Sequence, residues 1–403
     1  MTKRSVLLAR ALVVILAAVM YAPNDSKAAE EINIGVLLGF TGPIETLTPA
    51  MADSAELAFK EASDSGKLLG GATIKPIRAD STCVDAAAAT TAAERLISAD
   101  NVVAIYGADC SGVTSATANN VAIPNGVVMV SPSATSPGLS TIEDNGYFFR
   151  TVPSDARQGE VLAQIVMKRG INQVAVTYTN NDYGKGLSES FGTAYRALGG
   201  KITEVAAHED GKADYAAEIG VLAAAGGDAL VVFGYLDQGG VGMVRAAVDS
   251  GAFEQFVFAD GMIGGSIVDA IGEPLDGTFG TQPGGDSPGM EKFWQYAETV
   301  GVDRNGPFRG ESYDAAALLV LAMQAAGGAD RAGIQANMMA VANAPGEKIG
   351  PGEIAKGLEI LANGGAVNYE GATSVEFNEI GEVFGAYKEL EIKDGQFSTV
   401  KIH

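Results

Sequence analysis

The chain has 403 residues, 47% hydrophobic and 19% charged, enough to bury a large core in about two or three domains and unlike a disordered composition. Its 27 Lys and Arg face 49 Asp and Glu, a formal net charge of −22. So acidic a balance excludes nucleic acid and anionic membrane surfaces as partners, because either demands a basic face.

Lys3, Arg4 and Arg10 form a basic start, followed by an apolar run from Ala11 to Ala22 and a small-x-small signal at Ser26-Lys27-Ala28. This is the layout of an export signal cleaved near Ala28. The run is short of the ~20 apolar residues a membrane span needs, and no Cys follows it to carry a lipid. Residues 1–28 are therefore set aside as a signal peptide.

From Ile32 the chain alternates. Ile32–Leu38 reads as a buried strand, and Thr48–Ser65 carries Met51, Ala55, Ala58, Phe59 and Ala62 on one helical face. Gly70-Gly71 breaks the chain before a strand at Thr73–Ala79. An alanine-rich helix, Val84–Ser98, leads into strand Val102–Tyr106, and Val127–Val130 repeats the pattern. A second series starts near Arg157: helix 157–169, strand 174–178, helix 183–198, strand 201–207, helix 215–225, strand 229–233, helix 240–250 and strand 256–259. Thr278–Pro283 reads as a connection, followed by helices Met290–Val300 and Arg309–Ala326. The extended segments Val383–Ile392 and Phe397–Ile402 close the chain around Asp394-Gly395. Such alternation predicts right-handed βαβ units with parallel sheets. Two series predict two doubly wound, Rossmann-like α/β lobes with a cleft between them.

The richest stretch runs from Cys110 to Pro137. Two apolar runs end there in small hydroxyl residues, Ser111 after one and Ser133 and Thr135 after the other. Ligands of open α/β sheets bind at the carboxyl ends of the strands. Hydroxyls beside the free N–H groups of a helix start suit a small anion, most simply a carboxylate. Ser111 also fits an ordinary helix cap, and Ser133 and Thr135 fit turn formers around Pro132 and Pro137. Cys83 and Cys110 are the only cysteines, an even number in an exported chain, which favours a disulfide. It would tie the loops after the second and third strands beside Ser111, and a loop of that length contributes about 3–4 kcal/mol. Two cysteines with His208 and His403 show no zinc-ligand spacing. No metal or cofactor is expected.

Gly285-Asp286-Ser287-Pro288-Gly289 satisfies the Gly-x-Ser-x-Gly pattern of a nucleophile elbow. Pro288 removes the N–H that would complete an oxyanion hole, and the only internal histidine, His208, precedes the serine. Gly239-Gly240-Val241-Gly242 lacks the third glycine of a dinucleotide fingerprint, and no Gly-Lys-Ser/Thr follows a strand. The expectation is that the protein is not an enzyme.

Several short matches then converge: Thr41-Gly42-Pro43 after the first strand, Cys83 and Cys110, Ser131 through Pro137, Phe149-Arg150-Thr151, and Asp182-Tyr183-Gly184-Lys185-Gly186. Together they resemble the periplasmic substrate-binding proteins of ABC importers, of the leucine/isoleucine/valine-binding type, over most of the mature chain. The resemblance implies the type I fold, with lobe 1 from 29–151 plus 283–372 and lobe 2 from 152–282 plus 373–403. The hinge would cross near Thr151, Thr281 and Ala372. It implies a carboxylate grip at Ser111, Ser133 (through its backbone), Ala134 and Thr135, and contacts from the second lobe at Tyr183, Tyr235 and Asp260. Leu47 and Phe308 would wall the ligand's side chain. Leu47 stands where leucine-binding members tend to carry an aromatic, and Asp260 where Glu is common. The implied function is a periplasmic, monomeric receptor that delivers a small amino acid, aliphatic or branched-chain, to an ABC permease and ATPase. A receptor for an aromatic or other carboxylic acid or an amide, and a ligand-sensing domain, are the alternative readings.

Overall fold

The computed structural model describes residues 30–302, 304 and 306–403. The export-signal reading lies outside the described residues. The first sheet collects β1 (Glu31–Leu38), β2 (Thr73–Asp80), β3 (Ala104–Gly107), β4 (Val128–Ser131) and β5 (Phe148–Arg150). All are parallel, in the order β2-β1-β3-β4-β5. The second opens with β6 (Gln173–Thr179), β7 (Lys201–His208), β8 (Ala229–Phe233), β9 (Phe256–Phe258) and β10 (Phe279–Pro283). Its parallel part runs β7-β6-β8-β9-β10, the same winding as the first sheet. A two-stranded parallel ribbon pairs β11 (Glu347–Ile349) with β12 (Val367–Tyr369). β13 (Tyr387–Lys393) and β14 (Gln396–Ile402) then return to extend the second sheet with antiparallel strands beyond β10.

The strands at the sheet centres read as continuous apolar runs because helices cover both faces. Every residue of β3, β4 and β8 is buried. The helices start where the chemistry of caps dictates. Asp85 accepts from the N–H groups of Ala87 and Ala88, Ser154 from Ala156, and Asn181 from Gly184. Helix Arg309–Ala326 is buried from Arg309 to Gln324. A helix buried on all sides needs cover on all sides, and this one packs between helices Thr48–Asp64 and Arg331–Ala342. Although it follows β10 of the second sheet, it is thus part of the first lobe.

Element ends differ from expectation by up to four residues, and the shifts of one or two are ordinary fraying. β3 starts at Ala104 instead of Val102, and β13 at Tyr387 instead of Val383. The ribbon β11–β12 and the helices Arg331–Ala342 and Ile354–Ala362 were not foreseen. Three-residue strands carry too little alternation to be seen as periodic.

Three crossings join the lobes. After β5, Arg150 is fully buried and clamps the first crossing: Nη1 donates to the carbonyls of Ala134 (3.1 Å) and Ser136 (3.0 Å), and Nη2 to Ser140 Oγ (2.8 Å) and Glu382 Oε1 (2.6 Å). Glu382 lies on the third crossing, so the buried ion pair ties two crossings together. Thr151 Oγ1 donates to the Glu311 carbonyl, and Gln158 Nε2 to Thr281.

Candidate functional site

In a sheet wound 2-1-3-4-5, the crevice opens where the order reverses, at the carboxyl ends of the first and third strands. Both lobes obey this rule, and the two crevices face each other. From the first lobe come the segment after β1 with Ile44 and Leu47, the segment after β3 with Asp109, Cys110 and Ser111, and Ser133 after β4. From the second come Tyr183 after β6, Tyr235 after β8 and Asp260 with Gly261 after β9. With Phe308, these residues line one cavity of about 20 Å³, room for roughly one water. Larger hollows of about 470 Å³ lie beside Gln282, Lys388 and Gln396 and beside Pro153, Arg157 and Phe384. Neither brings together buried polar groups from both lobes as the small one does, the mark of a ligand site.

Seven of the nine ligand-site candidates line this cavity: Leu47, Ser111, Ser133, Tyr183, Tyr235, Asp260 and Phe308. Ala134 and Thr135 do not. Ala134 spends its N–H on Ser131 Oγ and its carbonyl on Arg150. Thr135 is fully buried with no hydrogen bond to its hydroxyl oxygen. Ser111 is the first residue of the helix Ser111–Thr117 and does not cap it; its Oγ accepts from Ser136 N at 3.1 Å. That contact joins the loops after β3 and β4. Ser133 Oγ donates to the Asp109 carbonyl at 3.0 Å, which leaves its role in the cavity to the backbone.

The disulfide joins Cys83 and Cys110 across 27 residues, the loops after β2 and β3. Beside it is an acid that sequence reading passed over. Asp109 is buried, its Oδ2 accepting from Gly39 N (2.6 Å) and its Oδ1 from Ser81 Oγ (2.9 Å). Burial pushes its carboxyl above the ordinary range, and these hydrogen bonds oppose that. It holds three loops of the first lobe in register.

On the facing wall Asp260 is 2% exposed. Tyr183 donates to its Oδ1 at 3.0 Å and accepts from Gly261 N at 3.1 Å. Gly261 is required there, since a Cβ would stand 2.6 Å from the Gly234 carbonyl and 2.9 Å from the Tyr183 hydroxyl. Tyr183 stacks on Tyr235 with centroids 5.2 Å apart. Burial, partly offset by the Tyr183 hydrogen bond, raises the Asp260 carboxyl to about 6. Both tyrosines are pushed far above their usual range by burial and remain neutral. Phe308 closes the side-chain end with a left-handed backbone, φ +71°, a conformation that costs a bulky residue about 1–3 kcal/mol and recurs at ligand sites.

A second acid not foreseen lies behind Asp260. Asp155, the first residue of helix Asp155–Lys168, is fully buried, and neither carboxylate oxygen has a hydrogen-bond partner. Its only sequence signal is its place after Ser154, where an acid reads as a routine first-turn residue.

The residues of the nucleophile-elbow pattern are committed elsewhere. Ser287 Oγ donates to the Ala372 carbonyl (2.7 Å) and accepts from Met290 N (3.0 Å), the cap of helix Pro288–Ala297. Among the described residues no group of His, Cys, Asp and Glu is arranged to hold a metal.

One wall of the cavity carries hydroxyl and amide groups, and the other a carboxylate with two tyrosines. Comparison with known proteins identifies the family. The periplasmic binding protein family matches residues 31–355. A Leu/Ile/Val-binding protein homolog of Brucella abortus is 29% identical over 328 residues, 79% of this chain and 84% of that protein. The fold matches a leucine binding protein from Thermotoga maritima with a TM-score of 0.77 at 23% identity, covering 92% of this chain and 98% of that one. It also matches a solute binding protein of an ABC transporter from R. palustris in complex with 4-hydroxybenzoate, TM-score 0.74, 19% identity, 93% and 97% covered. The chain belongs to the periplasmic binding protein family, whose two-lobed α/β fold it shares.

Proposed function

We propose that the protein is the receptor of an ABC importer and captures a small aliphatic amino acid between its lobes for delivery to the permease. Residues 1–28 would direct export, and the lobes would divide as 29–151 with 283–372 and 152–282 with 373–403. The observation that carries the reading is Asp260, a buried acid aimed into the cleft from the second lobe and held by Tyr183. A buried carboxylate needs a compensating donor, and a ligand ammonium supplies one by a charge-assisted hydrogen bond. Ser111 and the backbone near Ser133 face it from the first lobe, at the place for the ligand's carboxylate. Leu47, Ile44 and Phe308 give that end an apolar wall, which favours an aliphatic side chain. The names of the Brucella and Thermotoga proteins support an amino-acid ligand. The protein acts by binding rather than turnover, as the family does.

The stacked pair Tyr183–Tyr235 and the R. palustris complex favour a second reading, an aromatic carboxylic acid. Calorimetry separates the two on protein unfolded, stripped of carried-over ligand and refolded with its disulfide. The expected result is binding of L-leucine, L-valine or L-alanine and none of 4-methylpentanoate, 3-methylbutanoate or propanoate. Binding of 4-hydroxybenzoate with no amino acid bound would overturn the first reading in favour of the second.

A further inference from the structure

Two glycines follow Tyr183 on the helix that enters the cleft, Asp182–Ala197, in the order Tyr183-Gly184-Lys185-Gly186. Glycine inside a helix is less stable than alanine, so each calls for a reason in the packing. The reason for Gly184 lies within its own lobe, where a Cβ would run into the Thr179 carbonyl. Gly186 has no such reason there. Beyond the helix's own backbone, the three heavy atoms nearest to a Cβ on Gly186 all belong to the first lobe: Pro137 Cδ at 2.8 Å, Ser136 Oγ at 3.2 Å and Pro137 Cγ at 3.8 Å. Nor is its φ in the left-handed region that favours glycine.

The meeting point is stiff on both sides. Pro137 Cδ belongs to a ring closed on the main chain, so it cannot turn aside as the end of a flexible side chain does. The residue before it is pinned: Ser136 N donates to Ser111 Oγ at 3.1 Å, and the Ser136 carbonyl accepts from Arg150 Nη1 at 3.0 Å. Ser111 lines the ligand cavity, so the loop that meets Gly186 is tied to the first wall of the site. On the other side Tyr183 precedes Gly186 by three residues, which puts the two on one face of the helix. Tyr183 lines the second wall and donates to Asp260. The separation at Gly186 is therefore carried directly into the separation between Tyr183 and Ser111.

We propose that Gly186 is a positioning residue, the stop against which the lobes close on Pro137, and that the depth of this seating sets how far Tyr183 and Asp260 reach across the cleft to a ligand held at Ser111. This rests on the reading above that the cleft takes a small ligand, and it holds for either ligand class. With only hydrogen at Gly186, the helix can seat on the Pro137 ring. A methyl group in its place needs about 3.5 Å from Pro137 Cδ, so the helix would stand off by roughly 0.7 Å. Hydrogen bonds to a ligand that spans both lobes would then lengthen beyond their favourable range. Each lobe folds as before, because Gly186 and Pro137 meet only across the cleft.

The test is calorimetry on refolded protein with its disulfide intact, titrated with L-leucine, L-valine, L-alanine and 4-hydroxybenzoate, with thermal melts of the ligand-free protein alongside. Gly186→Ala should bind whichever probe the wild type binds about 5- to 100-fold more weakly, the range for an over-packed contact. Its ligand-free melting temperature should be no lower than wild type, because alanine suits the helix better. Adding Pro137→Ala, which removes the ring atoms that the new methyl meets, should recover most of the lost affinity, the non-additivity of two residues in contact. Gly220→Ala is the control, a glycine on helix Ala216–Ala225 of the same lobe with nothing within 4 Å of its Cβ position; it should leave binding unchanged. Wild-type affinity in Gly186→Ala would overturn the stop and leave the receptor reading standing. So would a loss that Pro137→Ala does not relieve, or a ligand-free melting temperature below wild type. A wild type that binds none of the four probes would overturn both.

Discussion

Asp260 is where a single substitution separates binding from folding. Its carboxylate accepts only from Tyr183 among side chains placed with normal hydrogen-bond geometry, so Asp260→Asn removes the charge at nearly constant volume. Truncating one side of a buried, hydrogen-bonded charge pair costs about 2–5 kcal/mol, because the ligand's ammonium is left buried without its counter-charge. Amino-acid affinity should therefore fall by a factor of roughly 30 to several thousand, while amine-free acids bind as before or better. The folded state loses nothing by this change, since an amide in place of a carboxyl raised to about 6 is easier to bury. Calorimetry with a thermal melt alongside reads both effects. Unchanged affinity would remove Asp260 from the site.

Strands and loops place these residues, and the cross-link beside the cavity is the element with the most leverage. Cys83 holds a left-handed backbone, φ +66°, and Cys110 immediately precedes Ser111. The disulfide therefore fixes the loop that carries both Asp109 and Ser111. Replacing both cysteines with serine should lower unfolding stability by about 3–4 kcal/mol, the chain-entropy value for this loop. A denaturant midpoint that shifts without a change of slope would report a pure stability loss, and an unmoved midpoint would show that the cross-link contributes nothing. Much of this arrangement was legible in the sequence. Apolar runs marked the central strands, alternation marked the doubly wound order, and hydroxyl clusters after β3 and β4 marked the crevice. Asp109 and Asp155 were not legible. The first looks like a loop acid and the second like a helix-start acid, and only the tertiary packing reveals that one is saturated with hydrogen bonds and the other has none. Whether Ser111 caps its helix was also not legible. Cap and first helical residue differ by one position in the sequence, but only the fold decides which loop its hydroxyl faces.

At the scale of the whole molecule, closure and charge decide what the parts achieve. The lobes touch at the cleft rim through Asp237, which accepts from Thr46 N (2.9 Å), Thr46 Oγ1 (2.8 Å) and Ser266 Oγ (2.7 Å). Asp237 N in turn donates to the Pro43 carbonyl at 3.0 Å. Closure selects for ligand only if the closed state is nearly balanced against the open one. Asp237→Ala should remove about 1 kcal/mol from closure and weaken ligand binding about fivefold without touching the cavity. Small-angle scattering should show a larger radius of gyration for the ligand-free variant, and identical affinity and scattering would exclude a latch. Charge acts on the entire fold. Burial raises the carboxyls of Asp260 and Asp314 to about 6 and Glu311 to about 7. The folded chain therefore keeps protons that the unfolded chain, with carboxyls near 4, releases. Stability rises with pH only where the unfolded state binds more protons, so these acids make it fall as pH climbs from about 4 to about 7. His208 opposes them. Burial lowers it to about 4, and its contribution is complete above about 6.5 and lost as pH falls toward 4. One histidine stands against three acids, and the self-repulsion of a net charge of −22 also relaxes as pH falls. The ligand-free protein should therefore melt at a higher temperature at pH 5.5 than at pH 7.5, and Asp260→Asn should narrow the difference. A melting temperature that climbs steadily from pH 5 to pH 7.5 would mean that these buried acids are ionised in the folded protein, each with a partner.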